Sequence, residues 1–247
     1  CSEKVRISVV FIDQLASEDF RSLRADMAIL FAVPEAAVRR RLAQRIGRLI
    51  LLNATAGDCD YIAPDNRLAG RLIAEHLLEC GHRSIGGVTF VDRDPGSDFR
   101  QRLDGCAEVF DAAGAALHLT RISALKFSDA RFRRKLVEPM VKAGHSALIG
   151  GCDAIAAELC AAVFAAGKRV PADVSIAGFD DQFYTQFMLP ALTTVKYPAE
   201  AIGIHLAAVT DELLAGRDGH IRKLVPPILV KRASILNLPH RTEGEEE

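Results

Sequence analysis

Short apolar runs alternate with amphipathic stretches along the chain. Val5 to Phe11 and Met27 to Val33 are rich in β-branched and aliphatic residues and read as strands, with Ser17 to Arg24 a short helix between them. Pro34 opens a helix with Val38, Leu42 and Ile46 inward at four-residue spacing, and it leads into a strand at Leu49 to Leu52. Beyond the loop Asn53 to Asp60, the extended piece Tyr61 to Ala63 ends at Pro64. Asp65 or Asn66 then caps a helix with Leu68, Leu72 and Leu77 inward and Gly81 as its stop. A strand at Ile85 to Val91, a turn-rich stretch at Asp92 to Asp98 and a helix carrying Phe99, Leu103, Cys106 and Phe110 come next. Leu117 to Ile122 reads as a strand, Ser128 opens a helix that Pro139 should break, and Ala147 to Ile149 is a strand ending at Gly150-Gly151. A helix spans Asp153 to Ala166, a short helical piece reaches Phe187, and Leu192 to Val195 is extended. Ala199 to Leu214 is the last helix, and Lys223 to Arg232 is a strand interrupted by Pro226-Pro227, an edge strand or a crossing between lobes. No internal repeat is visible. Strands alternating with helices predict an α/β chain with right-handed crossovers and mainly parallel sheets.

At 247 residues the chain can be one large domain or two smaller lobes. Its 31 Lys and Arg balance 32 Asp and Glu, so the chain as a whole carries no electrostatic footprint for nucleic acid. Arg39, Arg40, Arg41, Arg45 and Arg48 cluster after Pro34, but the apolar periodicity makes them the solvated face of an amphipathic helix. No apolar run spans a bilayer, and the N-terminal residues lack the order of a secretory signal. Cys1, Cys59, Cys80, Cys106, Cys152 and Cys160 form no CxxC pair, which favours a reducing, cytoplasmic setting over a disulfide framework. The glutamate-rich end reads as a disordered acidic tail.

Chemistry concentrates near Val170 to Asp181, VPADVSIAGFDD. A loop leads into a short buried strand, and Gly178 turns the chain where Asp180 and Asp181 follow. In an open α/β sheet, ligands sit outside the carboxyl ends of the strands. The two carboxylates there either accept hydrogen bonds from a ligand or cap the next helix. Cys152 beside Asp153 has no histidine tied to it by a motif, no phosphate-binding glycine loop follows a strand, and no histidine pair has metal spacing. The residues therefore point to no catalytic group, no metal and no cofactor.

The same stretch, with Pro190, Leu192, Thr193, Thr194 and Val195, resembles the C-terminal signature of the LacI/GalR family of bacterial transcription regulators. The similarity runs on, in the family's order, through Asp65-Asn66, Gly70, Glu75-His76-Leu77-Leu78, Gly81-His82-Arg83 and Leu229-Val230-Lys231-Arg232. It implies a fold like the type I periplasmic binding proteins: two doubly wound parallel-sheet lobes, three crossings near Ala63-Pro64, Val195-Lys196 and Pro226-Pro227, and an effector in the cleft. By that alignment residues 1–63 with 196–226 form the N-terminal lobe, 64–195 with 227–239 the C-terminal lobe, and 240–247 the tail.

The resemblance also implies a site. Arg102, three residues before Gly105, and Asp180 match the family's ligand-contacting arginine and aspartate. Cys152 stands where relatives often carry an asparagine, Tyr197 lies in a crossing, and Phe31 and Asn53 fall at strand ends facing the cleft. A thiol cannot replace both the donor and the acceptor of an amide, so the effector should differ from those of the better-known sugar regulators. The expected partners are a small polar effector, a sugar or related metabolite, and a second copy of the chain; DNA would be reached only through a helix-turn-helix module with no counterpart in these residues. Val5 to Val33 aligns with the family's second strand, second helix and third strand, so the first strand and helix of the N-terminal lobe should be absent. A solute-binding protein of a sugar transport system would share the fold and cleft, and a sugar-handling enzyme is the third reading.

Overall fold

The computed structural model describes residues 25–31, 36–91, 97–123, 129–216 and 219–239. The strand expected at Val5 to Phe11, the helix at Ser17 to Arg24, Pro34, Ser128, residues 92–96 and the acidic tail lie outside them. In chain order the elements are β1 (Met27–Leu30), α1 (Ala36–Ala43), β2 (Arg48–Leu52), β3 (Asp60–Pro64), α2 (Asn66–Glu79), β4 (Ser84–Phe90) and α3 (Asp98–Ala112). There follow β5 (Ala116–Ile122), α4 (Ala130–Lys142), β6 (Ala147–Gly150), α5 (Asp153–Ala165), β7 (Ser175–Asp180), a 3-10 turn at Phe183–Phe187, β8 (Thr193–Lys196), α6 (Ala199–Leu214), β9 (Arg222–Val225) and β10 (Ile228–Val230).

Two sheets result. The first runs β1-β2-β3-β9 and is parallel throughout; the second runs β10-β8-β7-β6-β4-β5 and is parallel except where β10 meets β8. Alternate strand residues go to opposite faces, as a period of two requires. In β2, Leu49 and Leu51 pack with Leu42 of α1 and with Ile46 in the turn that follows it, while Ile50 and Leu52 join Ile62, Val225 and Ile202 of α6. In the second sheet Val88, Leu148 and Ile176 meet α4 and α5, whereas Ile85, Ile149, Ala177 and Phe179 meet α2 and α3. Both sheets are thus covered on both faces, which is what near-continuous apolar strands need. The chain leaves the first sheet after Pro64, returns between Lys196 and Ala199, and leaves again through Pro226-Pro227.

Of the two alternatives at Pro226-Pro227 the structure takes the crossing: proline cannot donate to a ladder, and two in succession part β9 from β10, which lie in different sheets. Three local expectations are corrected. Pro139 does not break α4: it lies one turn from the end, its carbonyl still accepts from Ala143 N–H at 2.8 Å, and both it and Lys135 are exposed, where water can serve the carbonyl that proline leaves without a helical donor. Arg39 is not solvated. It is 8% exposed and its guanidinium donates to Asp58, 3.1 Å from Nε to Oδ1, a partner nineteen residues away that no helix periodicity reveals. Arg48 belongs to β2 rather than the helix, and its Nε donates to Asp60 Oδ2 at 2.7 Å.

One close approach positions everything that follows. α2 and α3 touch backbone to backbone: a Cβ on Gly70 would collide with the Arg102 carbonyl oxygen, and one on Gly105 with that of Arg67. Asp65 caps α2 by accepting from Leu68 N–H at 2.8 Å, Gly81 at φ +87° lets the chain leave it, and Ser97 caps α3. Gly105→Ala forces the helices apart and should cost about 3 kcal/mol, roughly 6–12 °C in Tm. A calorimetric scan that leaves Tm unmoved would show the contact to be slack.

Candidate functional site

The close helix contact buries Arg102 to 3% exposure, and its guanidinium is met on every side. Nε donates to Asn66 Oδ1 at 3.0 Å and Nη1 to the Gly151 carbonyl at 3.1 Å. Nη2 lies 2.8 Å from Asp180 Oδ1 and 3.6 Å from Asp98 Oδ2. The rings of Phe179 and Phe99 hold it at 5.3 and 5.9 Å from their centroids. A buried arginine requires this much compensation, since an unpaired charge in a dry site is costly by several kcal/mol.

Asp180 ends β7 with φ 109°, and Asp181 follows at φ 53°. Two consecutive non-glycine residues with positive φ are strained, a feature concentrated at functional sites. Burial pushes the Asp180 carboxyl up, and the adjacent Arg102 guanidinium pulls it back. Asp181 is turned the other way, Oδ1 accepting from Arg232 Nη2 at 2.6 Å. Of the two acids, Asp180 faces Arg102 and Asp181 ties down the segment after β10. Neither caps the 3-10 turn, whose flanking residue Gln182 makes no side-chain cap.

Cys152 precedes α5 with no side-chain capping bond and is 9% exposed; burial raises its thiol first of all, and Asp180 adds to the rise. Such a thiol is an inert, weakly polar wall rather than a nucleophile. Tyr197 sits in the return to the first sheet. Its ring packs with the Ile50, Leu52 and Ile62 cluster, and its hydroxyl, raised mainly by burial, feels the charges of Arg102, Asp98 and Asp180. Asn53, just past β2 at φ 68°, reaches Asp98 from the first sheet at 3.5 Å. The second link between the sheets is Gln101 Nε2 to Thr55 Oγ1 at 2.7 Å. Arg102, Asp180, Cys152, Tyr197 and Asn53 therefore surround one point, whereas Phe31 stands apart, following β1 with its side chain 74% exposed.

Among the described residues three buried side-chain atoms have no hydrogen-bond partner: Asn53 Oδ1, Asn66 Nδ2 and Thr89 Oγ1. All three are on groups that touch this cluster. Asn53 meets Asp98, Asn66 holds Arg102, and Thr89 packs against Gly151. A separate hollow of about 530 Å³ lies at the amino ends of β2, β3 and β9, among Arg48, Asp60, His220 and Arg222, the far end of the first sheet from Asn53.

Residues 74–235 match the periplasmic binding protein-like domain family. The chain is 32% identical over 186 residues to an uncharacterized HTH-type transcriptional regulator of Streptomyces limosus, covering 70% of this chain and 50% of that protein. It is 28% identical over 188 residues to the ribose operon repressor of Escherichia coli (strain K12), covering 72% and 54%. This chain belongs to the periplasmic binding protein-like domain family, in the form carried by LacI/GalR-type regulators. It spans about half the length of the curated relatives it matches. A LacI family transcriptional regulator from Enterococcus faecalis V583, solved with bound ribose, superposes with a TM-score of 0.73 at 22% identity, covering 87% of this chain and 79% of that one. These relatives are named as regulators rather than enzymes, and no described helix is long and apolar enough to cross a membrane.

For this LacI/GalR-type domain, sequence reading missed Asp98, Gln101 and Asp153 as members of the site. Asp98 and Arg102 stand at i,i+4, a pairing signal available from spacing alone. Asp153 is fully buried and pushed up to about 7, chiefly by burial; hydrogen bonds from Thr194 and Gln182 pull it down, and the neighbouring charges of Asp180 and Asp181 add to the rise. A carboxyl raised on folding binds a proton that the unfolded chain has released, so its contribution to stability is present at low pH and lost as pH rises through the window from about 4 to about 7. Relative to Asp153→Asn, the wild type should therefore lose on the order of 3 kcal/mol between pH 4 and pH 8. Parallel urea curves for the two proteins across that range would refute the assignment.

Proposed function

We propose that this chain is the effector-binding part of a LacI/GalR-type transcription regulator, taking a sugar-like ligand between two lobes. The lobes are residues 1–63 with 196–226, built on the first sheet, and 64–195 with 227–239, built on the second. The observation that carries the reading is the buried Arg102–Asp180 pair, beside which Asp98 and Gln101 of α3 reach Asn53 and Thr55 of the opposite sheet. Arginine offers a rigid fork of donors and aspartate only acceptors, together a match for neighbouring hydroxyls on a ring. The unpartnered atoms of Asn53, Asn66 and Thr89 add polar capacity around the same point. Cys152 offers little hydrogen bonding and faces a part of the ligand poor in hydroxyls, while the Tyr197 ring supplies an apolar face. Phe31, in solvent at the same end of its sheet as Asn53, becomes a contact only as the lobes close.

Closure couples the cleft to a DNA-binding module outside this chain, in a homodimer within the cytoplasm; ligand shifts the regulator between states according to its differential affinity for them. The ribose operon repressor and the ribose-bound neighbour favour a pentose as the first ligand to try. D-ribose at a hundred times its Kd should stabilise the chain by about 2.7 kcal/mol. Asp180→Asn, which keeps the shape but not the charge, and Arg102→Ala should each weaken binding by about a hundredfold or more, measured by titration calorimetry. Binding unchanged in both variants would remove the pair from the site.

A further inference from the structure

The left-handed pair Asp180–Asp181 needs something to hold it, and Asp153 touches it from the neighbouring strand end. Asp153 Oδ2 accepts from Gln182 N–H at 2.8 Å, directly after the strained pair, and Oδ1 accepts from the Thr194 hydroxyl at 2.6 Å on β8. Upstream, a Cβ on Gly178 would collide with Asp153 Oδ1, so the carboxylate also lies against β7 just before Asp180. The turn is thereby gripped two residues before and two residues after Asp180. Thr194 extends the grip, its Oγ1 lying 3.4 Å from Asp181 N. Asp153 makes no contact with Arg102 and is wholly covered, so a ligand contact is not its task.

We propose that Asp153 is a positioning residue for the ligand site: through Gln182 N–H and the Thr194 hydroxyl it holds the Asp180–Asp181 turn in its left-handed conformation and so directs the Asp180 carboxylate at Arg102. This deepens the effector-binding reading and rests on it for the ligand, though not for the turn. The charged and titratable groups facing Asp153 are Asp180 and Asp181 from the end of β7 and Tyr184 from the 3-10 turn. Arg102 and Arg232 pair with the two aspartates, which leaves Asp153 the acid held by neutral donors alone. Its place in the first turn of α5, where a helix favours negative charge, is consistent with a carboxylate tolerated in the core.

The test is residue-resolved amide hydrogen exchange of the whole chain at pH 8, without ligand, followed by titration with D-ribose. Asp153→Ala should speed exchange at Gln182 at least tenfold while Leu148 and Ile149 in β6 keep their protection, and should weaken ribose binding by a similar factor. Asp153→Asn, whose amide can still accept from Gln182 and reach Thr194, should restore Gln182 protection to within about threefold of wild type. Should Asp153→Ala fail to fold, Thr194→Val removes one of the two donors at nearly constant volume and should speed exchange at Asp181 and Gln182 severalfold. Unchanged Gln182 exchange in Asp153→Ala, or in Thr194→Val where the alanine variant does not fold, overturns the proposal, as does exchange that rises equally throughout β6 and β7. Failure of the wild type to bind ribose would count against the pentose reading, while the exchange data decide the role of Asp153 independently.

Discussion

A guanidinium taken almost completely out of water sets the terms for this molecule. Arg102 must be paired, and the surrounding groups are arranged to do so: two carboxylates, an asparagine oxygen, a backbone carbonyl and two aromatic faces. Nothing of this would be reached if α2 and α3 did not meet at Gly70 and Gly105, since any side chain at either would push the arginine away from β7. Buried ion pairs are poor sources of stability, because desolvation offsets most of the attraction. A pair retained at the carboxyl ends of a doubly wound sheet is therefore better understood through what it can bind than through what it holds together.

The surrounding acids divide the work by environment. Asp180 meets the guanidinium, Asp181 anchors the segment after β10 through Arg232, and Asp153 is confined to hydrogen bonds from a backbone N–H and a hydroxyl. The three crossings between the sheets pass close to these groups: the first leads into Asn66, the second contains Tyr197, whose N–H reaches the Asp180 carbonyl at 3.3 Å, and the third leads through β10 to Arg232. The crossings and the Arg102–Asp180 cluster are thus contiguous, so that on the proposed reading a ligand shifting Asp180 would act on the crossings at short range.

Much of the fold was legible because its signals are local. The alternation of apolar strands and amphipathic helices, Asp65 as a cap and Gly81 as a stop all depend on residues within a few positions of one another. Legibility failed where the deciding partner is distant: Arg39 is buried by Asp58, and Arg48 is drawn to Asp60 on the neighbouring strand. The site divides the same way. Arg102 and Asp180 were read through their motifs, whereas Asp153, visible beside Cys152, gives no hint in its own neighbourhood that Thr194 and Gln182 lie above it. Phe31, expected at a strand end facing the cleft, follows β1 with its side chain in solvent, apart from the cluster.

The central claim is that Arg102 and Asp180 together form the anchor of a ligand site between the two sheets. A crystal structure of this chain grown with D-ribose tests it most directly. The account predicts sugar hydroxyls within hydrogen-bonding distance of both the Arg102 guanidinium and the Asp180 carboxylate, with the Asn53 loop closing from the other side. Ribose bound elsewhere, with Arg102 and Asp180 in contact only with each other, would contradict it.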